Sequence, residues 1–132
     1  GLGITIHTGE TPDVNEMWEV INELKPDRIG HGIACVADPK LMRLLVKNKT
    51  VLEICPTSNI NTKVVRGYSE FKQIFTALNR FEVKYTINTD GSEMQQVNLR
   101  EEFRRLLQNK VLTKDELIVA NDTARKASFI ND

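Results

Sequence analysis

Cysteine is scarce. Cys35 and Cys55 are the only two in 132 residues, too few for a disulfide framework and too far apart for a metal-binding CxxC pair. Buried free thiols, and with them a reducing, cytoplasmic setting, are the expectation. Net charge is absent too: 18 basic residues balance 18 acidic ones. Such a chain offers no electrostatic footprint to a phosphate backbone or an anionic membrane, so neither nucleic acid nor membrane is an expected partner. Apolar runs are short, as in Leu44-Leu45-Val46, far below the ~20 residues that span a bilayer. These residues contain no secretory leader pattern, so secretion is not the expectation. The chain begins at Gly1 and passes at once into Ile4-Thr5-Ile6, so a cut from something longer is expected. Neither a Gly-x-Gly-x-x-Gly after the first strand nor a P-loop is present, which removes the main signal for a nucleotide-phosphate crevice.

What is present, 40% hydrophobic and 27% charged residues, suits one globular domain over residues 1–132. Four short runs read as buried strands: Gly3 to His7, Arg28 to His31, Thr50 to Cys55 and Val83 to Asp90. Between and after them lie helical stripes. Val14, Met17, Trp18, Ile21 and Leu24 form one, with Pro12 in its first turn and Lys25-Pro26 as its stop. Asp38-Pro39 opens a second, carrying Leu41, Met42, Leu45 and Val46. Phe71, Ile74, Phe75 and Leu78 form a third; Leu99, Phe103, Leu106 and Leu107 a fourth. Thr113 to Glu116 is a capping box, with Leu112 and Leu117 as its hydrophobic staple. It starts a helix with Leu117, Ala120, Ala124 and Ala127 inside. Strand onsets near residues 4, 28, 51 and 83, with helices between, predict a parallel α/β sheet built from βα units.

Parallel α/β folds place chemistry at the carboxyl ends of their strands. Those ends read His7-Thr8-Gly9-Glu10, Gly30-His31-Gly32, Glu53-Ile54-Cys55-Pro56-Thr57-Ser58-Asn59 and Asn88-Thr89-Asp90-Gly91. Both histidines of the chain stand there. Two imidazoles and two carboxylates at neighbouring ends supply metal ligands and groups for proton transfer, a set suited to metal-assisted hydrolysis. Plainer roles stand beside this one. Glu10 would complement the dipole of the next helix, Asp90 would be a turn residue before glycine, and Thr57-Ser58-Asn59 would cap a loop and not line a pocket rim.

In order and content, these four segments resemble the adenosine deaminase family. His7-Thr8-Gly9-Glu10 is similar to its His-Ala-Gly-Glu element, and the other three follow in sequence. Glu93-Met94 and Ala127-Ser128-Phe129 also fit. The missing Pro-Cys-x-x-Cys pair separates the chain from the cytidine deaminase type. The resemblance implies the carboxyl half of a TIM (β/α)8 barrel, with about four parallel strands, in a zinc-dependent hydrolase converting adenosine or deoxyadenosine to inosine and ammonia. It implies His7 and Asp90 as zinc ligands and Glu10 as the donor of a proton to purine N1. His31 would orient the attacking water and take its proton, and Gly9 would offer its backbone to the purine. Glu10 would then need a dry, apolar surround.

Two departures accompany the resemblance. The family's zinc is also held by a His-x-His pair on the first barrel strand, absent from these residues and expected upstream. Gly91 stands where the family commonly has an aspartate that bonds purine N7, with Ser92 next as a partial substitute. Gly30 before His31 is more like the adenosine branch than the adenine branch. The partner implied is a small purine nucleoside. A half-sheet with two unpaired edges is expected to be inactive alone and to self-associate. The alternatives are another aminopurine (adenine, AMP or a modified adenosine) as substrate, and a non-catalytic half-barrel acting as a folding or interaction module.

Overall fold

The computed structural model describes residues 2–130. Its centre is one sheet of four parallel strands in sequential order: β1 (Thr5–Thr8), β2 (Arg28–His31), β3 (Val51–Ile54) and β4 (Tyr85–Ile87). The register pairs His7 with Gly30 and Thr8 with His31, Gly30 with Glu53, and Ile54 with Ile87. All four carboxyl ends therefore finish along one rim. Apart from Arg28–His31, the strands are shorter than the sequence runs suggest, because their flanks are spent on turns into helices.

Among the described residues seven helices surround the sheet: α1 (Val14–Leu24), α2 (Pro39–Asn48), α3 (Pro56–Asn61), α4 (Tyr68–Phe81), α5 (Ser92–Gln95), α6 (Leu99–Gln108) and α7 (Lys114–Lys126). A 3₁₀ turn over Ile33–Ala37 links β2 to α2. Asp13, not Pro12, starts α1: its side chain accepts from Asn15 N, which leaves the proline outside the helix. Lys25, in the left-handed region at φ 46°, ends it before Pro26.

Asp38 does two jobs. One carboxylate oxygen caps α2 by accepting from Lys40 and Leu41 N, and the other accepts from Trp18 Nε1 at 2.8 Å. The Trp18 bond and the two amides hold its carboxyl below the ordinary range. The capping box at Thr113 is present in full, and its staple residues Leu112 and Leu117 are both buried.

The outer face of the sheet carries Ile29, Leu52, Ile54, Tyr85 and Ile87 against Met17, Ile21, Leu41, Met42, Leu45, Phe71, Phe75 and Leu78. These are the stripes read from the sequence, with four shifts. Leu24, at the end of α1, is 52% exposed. Val46 lies partly outside the core, at 40% exposure. In α6, Leu99 and Leu107 face solvent while Glu102 and Leu106 are buried, so that stripe is rotated. In α7 only Leu117 and Ala120 go inside, and Ala124 is exposed. Among the described residues no helix is long and apolar enough to cross a membrane.

Candidate active site

β1 delivers His7, and the turn after it delivers Gly9 and Glu10. That turn needs glycine: Gly9 has φ 69°, and a Cβ there would collide with the Met17 side chain of α1. Thr8, buried beside it, donates from Oγ1 to Glu16 Oε1 at 2.8 Å, which pins the turn to α1. The Gly9 carbonyl accepts from Ala34 N at 3.0 Å. Opposite His7 in the register stands Gly30, where a Cβ would lie 2.6 Å from His7 Cδ2. This glycine is the floor on which the imidazole rests.

Strand alternation predicts opposite faces for His7 and for His31, the partner of Thr8. The structure instead places the two rings 5.6 Å apart. The backbone explains this: His31 is in the left-handed region at φ 66°, a conformation that costs a non-glycine residue on the order of 1–3 kcal/mol. Asp90 shares it at φ 52°. The same conformation also ends helices at Lys25, Lys49 and Glu82, so at His31 it accounts for the direction of the ring and is not by itself a mark of function.

The His31 ring is buried and held from α3. Asn59 Nδ2 lies 3.1 Å from its Nδ1 and also reaches Glu10 Oε1 at 3.5 Å. On the other side of the ring, Nε2 is 3.7 Å from Glu10 Oε2 and 3.9 Å from Asp90 Oδ2. Ser58 Oγ donates to Asp90 Oδ2 at 2.7 Å. Thr57-Ser58-Asn59 lies buried in α3, from which Ser58 and Asn59 reach Asp90, His31 and Glu10. The sequence named these residues without their partners, and the bond from Thr8 to Glu16 escaped it because Thr8 stood only as a member of the His7-Thr8-Gly9-Glu10 segment and Glu16 carries no motif signal.

One ligand atom from each of His7, His31 and Asp90 can be chosen so that all three lie within 4.8 Å of one another. An imidazole nitrogen from His7 and a carboxylate oxygen from Asp90 are donor types of a catalytic zinc site, and His31 lies close enough to both to face a water on such an ion, so these residues fit it. Glu10 keeps 36% side-chain exposure; the described residues alone do not give it the dry surround expected of it. Gly91 and Ser92 lie exposed beyond Asp90. Gly91, at φ 83°, has open space where a Cβ would stand, and Ser92 begins α5.

Both thiols are free and buried. Burial pushes Cys35 up to about 12. Burial, then the charges of Asp90, Glu102, Glu53 and Glu10, does the same to Cys55, also to about 12. Neither is a nucleophile at neutral pH.

A family model described as adenosine deaminase matches residues 1–132. The adenosine deaminase of Shewanella loihica is 35% identical over 132 residues, all of this chain and 39% of that protein. Among solved structures, an adenine deaminase from Arthrobacter aurescens superposes with a TM-score of 0.86 at 24% identity, over 100% of this chain and 40% of that one. The N6-methyl-AMP deaminase of Arabidopsis thaliana gives 0.81 at 28% identity, over 98% and 37%. The chain therefore spans about two fifths of the relatives it matches.

Proposed function

Since the chain belongs to the adenosine deaminase family, we propose that it forms the carboxyl half of a (β/α)8 barrel that deaminates a purine nucleoside, adenosine or deoxyadenosine, with zinc. The observation that carries this reading is the convergence of His7, His31, Glu10 and Asp90 at one rim, with His31 Nε2 within 3.9 Å of both carboxylates. His7 and Asp90 would hold the ion, with further ligands from outside these residues. When bound, zinc supplies Lewis-acid polarisation that makes the attacking water acidic enough to lose a proton near neutral pH.

This chain's residues then handle protons and position. Water adds to C6 of the purine as Glu10 Oε2 gives a proton to N1; the new C6 hydroxyl then returns a proton to Glu10, and the amine takes from His31 the proton drawn from the water and leaves as ammonia, so that adenosine plus water becomes inosine plus ammonia. His31 orients the water and takes its proton at Nε2. For that step its ring must carry hydrogen on Nδ1. The buried Oδ1 of Asn59 has no partner among the described residues, and turning that amide over would set it to accept from Nδ1 and free Nε2. Gly9 would meet the purine ring with its backbone, and Gly91 and Ser92 would border the N7 side. A purine seated over Glu10 would exclude water from its half-exposed carboxyl.

The reading extends to partners and setting. Two buried free thiols support a cytoplasmic location, and the β1 edge supports self-association when these residues stand alone. A similarity of 28% to an N6-methyl-AMP deaminase keeps AMP-type substrates as the second reading. The test is turnover in the complete protein carrying these residues, followed by purine ultraviolet absorbance for adenosine, deoxyadenosine, adenine, AMP and N6-methyl-AMP. Glu10→Gln should keep its metal and lose about 10²–10⁴-fold in kcat. Undiminished turnover in that variant refutes the role of Glu10. No turnover on any purine favours a non-catalytic module.

A further inference from the structure

One carboxyl group outside the rim is wholly buried. Glu102 of α6 is 0% exposed. Its Oε1 accepts from Thr57 N at 3.2 Å, a contact across 45 residues of sequence, while Oε2 has no hydrogen-bonding partner among the described residues. A buried carboxyl with one oxygen unpartnered is costly, and an apolar side chain would fill the space at less expense. Thr57 explains what the acid does there. It is the second residue of α3, whose preceding residue Cys55 makes no side-chain cap. The helix is therefore anchored from α6 and not from its own N-terminal neighbour.

Arg105 braces the same residue. Its Nη1 donates to Thr57 Oγ1 at 3.3 Å, and its Nε is held by Glu101 at 3.0 Å. The next two residues of α3 are Ser58, which holds Asp90, and Asn59, which holds His31 and reaches Glu10. An unbroken route of hydrogen bonds and one turn of helix thus runs from Glu102 to three of the four convergent side chains.

We propose that Glu102 is a positioning residue for the deamination: by anchoring Thr57 it fixes the seat of α3, and so sets where Ser58 holds Asp90 and where Asn59 holds His31 and Glu10. The proposal rests on the deaminase reading above. Its own chemistry is to accept one hydrogen bond from a backbone amide, so an amide oxygen can replace the carboxyl. Burial pushes the Glu102 carboxyl above its ordinary range, which makes glutamine the closer mimic.

The experiment compares Glu102→Gln with Glu102→Met, which keeps the volume and deletes the acceptor, in the complete protein. The readouts are kcat and KM for the purine that the wild type turns over, together with amide hydrogen exchange. The Met variant should lose about 10–100-fold in kcat with KM within about threefold. Its Thr57 amide should lose protection while β2 and β3 keep theirs. The Gln variant should restore both readouts. Wild-type kcat in the Met variant overturns the proposal, as does equal loss in both variants. A Met variant that unfolds beside a folded Gln variant assigns Glu102 an architectural role and likewise overturns it. The exchange arm needs no substrate: an inactive wild type sinks the deaminase reading, whereas unchanged Thr57 protection in the Met variant sinks the route through α3.

Discussion

Gly30 is the residue on which the position of His7 depends. A methyl group there meets the imidazole at 2.6 Å, and the ring has no deeper place to go because β2 lies beneath it. Gly30→Ala should therefore displace His7 and lower metal affinity by about 10–100-fold, as loss of a ligand's supporting contacts does. A zinc-competition titration measures this, and wild-type affinity would contradict it. Glu102 gives a prediction with a sign. Its folded carboxyl is raised by burial, so the folded state binds protons that the unfolded chain has released, and stability falls as pH rises through that window. Glutamine cannot lose a proton there. The stability of Glu102→Gln relative to wild type should rise from pH 4 to pH 8 in denaturant melts; a flat difference would contradict the buried acid. The rim side chains were legible because they are rare residue types at strand ends. Glu102 was not, because in Leu99-Arg100-Glu101-Glu102-Phe103 an acid among charges reads as a solvated face, and only the packing of α6 on α3 reverses that.

The helices were readable where caps and stripes agree. Thr113 accepts from Glu116 N at 3.2 Å and Glu116 Oε1 accepts from Thr113 N at 2.9 Å, so Thr113→Ala should cost about 1 kcal/mol in chemical denaturation. No measurable loss would show that the staple residues alone hold the start of α7. The α6 pair Arg104 and Arg105 holds the partly exposed Glu101 carboxyl down to about 2 through hydrogen bonds. The stability it adds is present above the ordinary carboxylate range and is lost as pH falls toward that value. The elements that escaped the sequence were short: α3, α5 and the 3₁₀ turn have too few residues to show a period. The rotated stripe of α6 has the same origin in part, since Leu99 and Leu107 sit at helical spacing that tertiary packing overrides. Asp38 was legible as a cap, but its bond to Trp18 depends on how α1 and α2 cross.

At the scale of the molecule, the two outer strands are unequal. β4 is buried along its whole length and packs against α7. β1 leaves Thr5 and His7 exposed, with Ile4 at 44% exposure beside them. Both outer strands have one backbone edge without a strand partner among the described residues, but the solvent-exposed one is β1, a strand that other strands of a barrel, or a second copy of this chain, would cover. Light scattering of the isolated 132 residues should show dimers or larger species, and a Lys substitution at Ile4 should reduce them; a monodisperse monomer would contradict the open edge. The same half-sheet is what brings four strand ends to one rim, and the most direct measurement of that convergence is zinc per chain. Mass spectrometric metal analysis of the complete protein should give about one zinc. His7→Ala and Asp90→Ala should each lower it sharply, and His31→Gln should retain it without turnover. Full zinc occupancy in both of the first two variants would contradict the account.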